Sequence, residues 1–210
     1  MNKVVELIPV IELPTIKDSE SENFPSGSAL SNTFEWDKFQ EKEIRKNYNN
    51  IGSPISPGIY QYRLFDINTE DLVKVIKLHI SDFKIEDSCS LFGGYALVIN
   101  NEIVLYPQCC GLLEEINDWI KIMDKNFEPF YLMECHPSPL FSKVNDKVLI
   151  NCSEENNEPF RFSTNSEITI SYDSLKEALE KLLNDLRVFS EKLDLLSDKF
   201  ASEKISNILI

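Results

Sequence analysis

Residues 95–106 read YALVINNEIVLY, two apolar runs on either side of Asn100-Asn101. A two-residue hairpin turn of the mirror-image type needs positive φ at both central positions, and asparagine tolerates that better than other residues with a side chain. The stretch therefore predicts a tight hairpin. Pairing across the turn sets Leu97 opposite Val104 and Tyr95 opposite Tyr106, with Ala96, Val98, Ile103 and Leu105 on the other face. Both faces are apolar, which places the hairpin centrally in a sheet, covered on each side.

Outward from the hairpin, Gly93-Gly94 eases the chain in, and Pro107-Gln108-Cys109-Cys110-Gly111 leads out into a helix expected over 112–123. Leu112, Ile116, Trp119, Ile120 and Met123 supply its helical spacing. Further strands are expected at Phe130–Met133, Lys147–Ile150 and Glu167–Ser171, with a second tight turn at Asn145-Asp146. Toward the N-terminus, residues 3–13 form a β-branched run that Pro9, lacking a donor, should place at a sheet edge or bend. Residues 14–32 have loop chemistry. A helix follows over 33–48 with Thr33 as its cap. A short strand is expected around Tyr60–Leu64, and a helix capped by Asn68 or Thr69 runs to Ser81 with Leu72, Val75, Ile76 and His79 on one side.

The C-terminal stretch is the longest periodic one. Ser174 and Glu177 have capping-box spacing, and Leu175, Leu179, Leu182, Leu186, Phe189, Leu193, Leu196 and Phe200 follow at alternating steps of four and three. A helix over 174–200 with this seam either lies across the sheet as core or pairs with a second copy as a homodimer. The expected architecture is one α+β domain over residues 1–210. A mainly antiparallel sheet surrounds the central hairpin, packed by helices that include the long C-terminal one.

The charge balance narrows the partners. Thirty-five acidic side chains against 21 Lys and Arg give a net charge of −14, spread along the chain. Nucleic acid and anionic membrane surfaces are disfavoured, because both need a cationic face, whereas a basic protein partner is attracted over long range. Five cysteines and no signal-peptide or membrane-spanning pattern lead to an expectation of reduced thiols in a cytoplasm. Phosphate-binding loops, a nucleophile elbow, HExxH and calcium-loop patterns are absent from the sequence, so no catalytic residue and no cofactor is expected.

Two groups of residues merit attention. Cys109, Cys110, Cys135 and His136 have the donor chemistry of a zinc or thiol site, but adjacent cysteines in extended chain point opposite ways, and the thiols read first as buried small hydrophobes. His136-Pro137-Ser138-Pro139 reads first as a stiff turn. The second group comprises the acids of the polar stretches, Glu20 and Glu22 in one and Glu154, Glu155 and Glu158 in the other, with Phe24 and Phe160 as aromatic anchors beside them.

The pieces VELIPVIEL at 5–13, LFGGYALVINNEIVLYPQCCG at 91–111, the Trp119 helix, HPSP at 136–139 and SYDSLKEALEKL at 171–182, in that order, resemble a group of uncharacterised bacterial proteins. Cys135 stands where related sequences tend to have glycine. The resemblance implies no activity. It suggests an immunity protein, a non-catalytic module that neutralises a cognate, basic toxin by masking its active or docking surface. If that toxin is a nuclease, carboxylates here would stand in for phosphates.

Overall fold

The computed structural model describes residues 4–14, 24–27, 32–48, 51–108, 110–132, 137–153, 160 and 166–210. In chain order its elements are β1 (Val5–Glu12), α1 (Thr33–Asn47), β2 (Gln61–Arg63), α2 (Thr69–Ile80), β3 (Gly93–Ile99), β4 (Glu102–Leu105), α3 (Ile116–Trp119), β5 (Phe130–Tyr131), β6 (Leu140–Val144), β7 (Lys147–Asn151), β8 (Glu167–Ser171), α4 (Tyr172–Asp194) and α5 (Ser206–Leu209). The class is α+β, with two antiparallel sheets and a long C-terminal helix. The chain groups into two compact units: Met1–Val10 with Cys89–Ile210, and Ile11–Ser88.

In the first unit, β3 lies between β1 and β4, and all seven of its residues are buried. Leu7 to Ile11 of β1 are buried as an unbroken run, the signature of a strand covered on both faces. Pro9 does not put β1 at an edge: the strand has a hydrogen-bonded neighbour on each side. Asn100 and Asn101 take φ of 52° and 68°, as the turn requires. The backbone N–H of Asn100 donates to the Val4 carbonyl at 2.9 Å, and the Asn100 side chain accepts from the Val4 N–H at 3.1 Å.

The hairpin register departs from expectation. Ile99 faces Glu102 and Val98 faces Ile103, but Leu97 then faces Leu105 and Val104 has no partner. A bulge inserts the extra residue, and bulges bend the strand and sharpen its twist. Beyond the bulge the chain passes close to its neighbours. Gly94 has φ of 130°, and a Cβ there would meet the Pro107 ring and the Glu115 carboxylate at 3.0 Å. A Cβ on Gly111 would strike the Gly93 carbonyl at 2.5 Å, so at Gly111 the chain passes too close to β3 for a side chain. β4 ends its sheet. Only β3 of the hairpin is interior.

The single helix expected over 112–123 is instead one α-helical turn, α3, with a 3-10 turn on each side, Leu113–Glu115 and Ile120–Met123. Leu112, Leu113, Glu115, Ile116, Trp119 and Ile122 are buried in this stretch, and of these Leu113, Ile116, Trp119 and Ile122 follow a step of three, whereas Ile120 is exposed. Three residues per turn is the 3-10 period. Trp119 packs edge-on against Phe141 at 5.0 Å, and Phe130 stacks on Phe141 at 5.2 Å.

The second sheet runs β5-β6-β7-β8. Asn145-Asp146 does close a hairpin, with β6 as its first strand, an element the sequence did not announce. β8 alternates exposed and buried, with Ile168 and Ile170 inward beside Val148 and Ile150. α4 packs on β7 and β8, with Leu175, Leu179, Leu182, Leu186, Phe189 and Leu193 buried in its own chain. The helix starts two residues before Ser174, so the expected capping box does not form and the cap position falls to Ser171 without a side-chain bond. The cause is at the strand end, where the Tyr172 N–H donates to the Asp146 carbonyl at 2.9 Å and turns β8 directly into α4. The helix stops at Asp194, and the seam continues through a 3-10 turn, Ser197–Phe200.

In the second unit, α1 begins at Thr33 itself, leaving Asn32 at the cap position without a side-chain bond. The Asn68 side chain caps α2 as expected, accepting from the Asp71 N–H at 2.9 Å. Leu72, Val75 and Ile76 of α2 are buried, while His79 is half-buried. The Tyr48 hydroxyl donates to the Pro14 carbonyl at 2.6 Å, and that of Tyr60 to Asp37 Oδ1 at 2.7 Å. Burial first, and the nearby carboxylates Asp71 and Asp37 second, push both phenols well above their ordinary value.

Candidate functional site

The acids expected as partner contacts, Glu20, Glu22, Glu154, Glu155 and Glu158, lie outside the described residues, as do Cys109, Cys135 and His136 of the thiol group. Cys110 is described: it is exposed, with φ of 64°, directly before the crowded Gly111. Cys89 is exposed and Cys152 buried. Among the described residues no group of three or more His, Cys, Asp and Glu is placed to hold a metal ion. Phe160 is half-buried.

Phe24 is the expected anchor whose surroundings are visible. It is 56% exposed, yet its ring lies 5.2 Å from that of Phe39 and 6.3 Å from that of Trp36, with Trp36 and Phe39 edge-on to each other at 5.9 Å. Trp36 and Phe39 are three apart on α1 and so share a face of the helix. The segment carrying Phe24 is hydrogen-bonded to the helix start. The Trp36 indole N–H donates to the Gly27 carbonyl at 3.0 Å, and the Asn32 side chain donates to the Ser26 carbonyl at 3.2 Å. The result is a fixed aromatic cluster with one ring presented to solvent. Two of its three members, Trp36 and Phe39, were not foreseen as site residues. Their spacing was in the sequence, but the partner ring lies a dozen residues upstream, in a stretch without periodicity.

Phe34 is 65% exposed and stands under the Lys38 ammonium, 4.0 Å from its ring centroid. Two residues from Trp36, it projects from another side of the helix. The helix itself is electrically balanced: Glu35, Asp37, Glu41 and Glu43 against Lys38, Lys42, Arg45 and Lys46. The acidity near Phe24 is in the sequence just before it, with Asp18, Glu20 and Glu22.

A small aromatic cluster with a solvent-facing ring is suited to binding, since such rings offer large area at low entropic cost and dominate many interfaces. It carries no nucleophile or general base. Among the described residues no helix is long and apolar enough to cross a membrane. Comparison with protein-family models, with curated proteins and with solved structures finds no match to this chain.

Proposed function

We propose that the chain is a protein-binding module of the immunity type, which neutralises a cognate basic protein toxin by covering its active or docking surface. The observation that carries this reading is Phe24, an exposed ring held in place by Trp36 and Phe39, preceded in sequence by three acids in a chain of net charge −14. Negative charge steers a basic partner in, and a preorganised aromatic anchor gives the complex its lifetime. The resemblance to small acidic bacterial proteins agrees with this reading, as does a sequence without catalytic motifs.

The test is association. Co-expression with the product of the adjacent gene should give a complex that survives gel filtration and should restore growth if that product is toxic. Phe24→Ala should weaken the complex by at least tenfold while leaving the fold intact. Purified proteins that do not associate, or a complex indifferent to Phe24→Ala, would remove this reading.

A further inference from the structure

Strands β4 and β8 are the outer strands of their two sheets, and among the described residues neither has a strand beyond it. Both belong to the first unit, and they face each other across an open groove of about 520 Å³. Asn100, Glu102 and Val104 form one wall; Glu167, Ile168 and Thr169 form the other. A second hollow of about 450 Å³ continues it over the outer face of β7 and β8, sharing Glu167 and Thr169 and reaching Leu149 and Lys147.

The hydrogen-bond phase of β8 can be worked out. The Cys152 N–H donates to the Ser166 carbonyl at 2.8 Å, and the Tyr172 N–H to the Asp146 carbonyl at 2.9 Å. In an antiparallel ladder bonded and non-bonded pairs alternate. Ile168 and Ile170 therefore exchange bonds with β7 through their pairs with Ile150 and Val148. Glu167 and Thr169, paired with Asn151 and Leu149, turn their N–H and C=O groups outward. Glu167 and Thr169 are both among the residues that line the groove.

Exposed edges invite strand addition, and proteins usually blunt them with bulges, prolines or lysines. β4 is blunted by the Val104 bulge and ends at Leu105, two residues before Pro107. β8 has none of these devices: its register is regular over five pairs, and its outward side chains are Glu167, Thr169 and Ser171. The groove walls carry two carboxylates, Glu102 and Glu167, and no lysine or arginine.

We propose that this groove receives an extended, basic peptide segment of a partner, which adds as a strand to the edge of β8 while Glu102 and Glu167 pair with its cationic side chains. Main-chain bonds to Glu167 and Thr169 supply affinity, and the carboxylates select the sequence. The surface is distinct from the Phe24 cluster, and the proposal does not rest on the partner being a toxin.

The probe is the capped peptide KVKVKVK, titrated into the full ¹⁵N-labelled chain, beside EVEVEVE and a fully N-methylated KVKVKVK that keeps the charges but cannot donate. The basic peptide should slow hydrogen exchange at the Glu167 and Thr169 amides, which point away from β7, and leave the already bonded Ile168 and Ile170 amides unchanged. The acidic peptide should not bind. N-methylation should abolish binding, and Glu102→Lys with Glu167→Lys, both at exposed positions, should weaken it at least tenfold. Binding that survives N-methylation, that ignores the charge reversal or that protects other amides would overturn the proposal, as would no binding at all. A homodimer of the intact chain that Glu167→Lys dissociates would also overturn it, by making a second copy the occupant.

Discussion

α4 lays six large apolar side chains into the core of its unit, while α1, two-thirds as long, buries Glu43 and Ile44 and leaves Phe34 and the edge of an aromatic cluster in solvent. Both helices carry large hydrophobic residues. The difference lies in spacing. On α4 they recur every three or four residues along one stripe, so a single sheet face covers all of them. On α1, Trp36 and Phe39 share one face and Phe34 projects from another, so no one surface covers the three. Side chains that a fold cannot cover remain for other molecules, which is why the candidate surface is on α1.

The contrast can be broken most forcefully from the α4 side. Leu179 is fully buried, and Leu179→Ala removes methyl groups from a packed site, so it should cost about 2–5 kcal/mol in urea unfolding. A loss below about 1 kcal/mol would mean that the seam is not core and that its leucines are available to a second chain.

The next largest effect should appear at alkaline pH and distinguishes the two units. Tyr48, Tyr60 and Tyr62 of the α1 unit have phenols raised above the ordinary value of 10.0, in each case chiefly by burial, against Tyr95 in the other unit. A folded-state pKa above the unfolded one means that the folded state holds its proton more tightly. The stabilisation is complete below pH about 10 and is lost as pH rises beyond it. With more such phenols, the α1 unit should unfold first. The two tryptophans report separately, Trp36 in the α1 unit and Trp119 in the other. Trp36 emission should change at lower pH than Trp119 emission in single-tryptophan variants. Simultaneous transitions would show the units unfolding together.

A smaller effect tests a feature that was legible from local chemistry alone. Asn68 caps α2 through the Asp71 N–H, and Asn68→Ala should cost about 1 kcal/mol, read as a shift in the urea midpoint. Local rules of this kind served well where one residue suffices: the Asn68 cap, the Asn100-Asn101 turn and the apolar faces of α2 and α4. They failed where the deciding atoms come from elsewhere in the chain. The hairpin slipped by one residue at Val104, where the sequence alternates as a regular strand would. The capping box at Ser174 was pre-empted because Tyr172 bonds to Asp146. The 112–123 stretch was read with a period of 3.6 although Leu113, Ile116, Trp119 and Ile122 are buried at steps of three, a distinction that one fully buried tryptophan, Trp119, anchors only in three dimensions. β6 went unseen because Ser142 and Lys143 interrupt its apolar residues. Of the candidate surface, Phe24 was legible from composition. Its partners Trp36 and Phe39 were not, and the groove between β4 and β8 requires a strand order that no single sequence states.

The smallest stability effect should be on α1, and its smallness is what makes it informative. Phe34→Ala removes a ring that is 65% exposed and stands under the Lys38 ammonium, so stability should change by no more than about 0.5 kcal/mol. Phe24→Ala removes a ring that also touches Trp36 and Phe39, and should cost slightly more, about 1 kcal/mol from lost aromatic pairing. A surface ring kept for folding would show the reverse ranking against binding: large in urea, negligible in a complex. If Phe24→Ala destabilises as much as Leu179→Ala does, Phe24 is a lid on a small core, and α1 then differs from α4 in degree only. If it barely moves the urea midpoint yet weakens the complex tenfold, the ring is held out for a partner, and the sparse burial of α1 is what allows it.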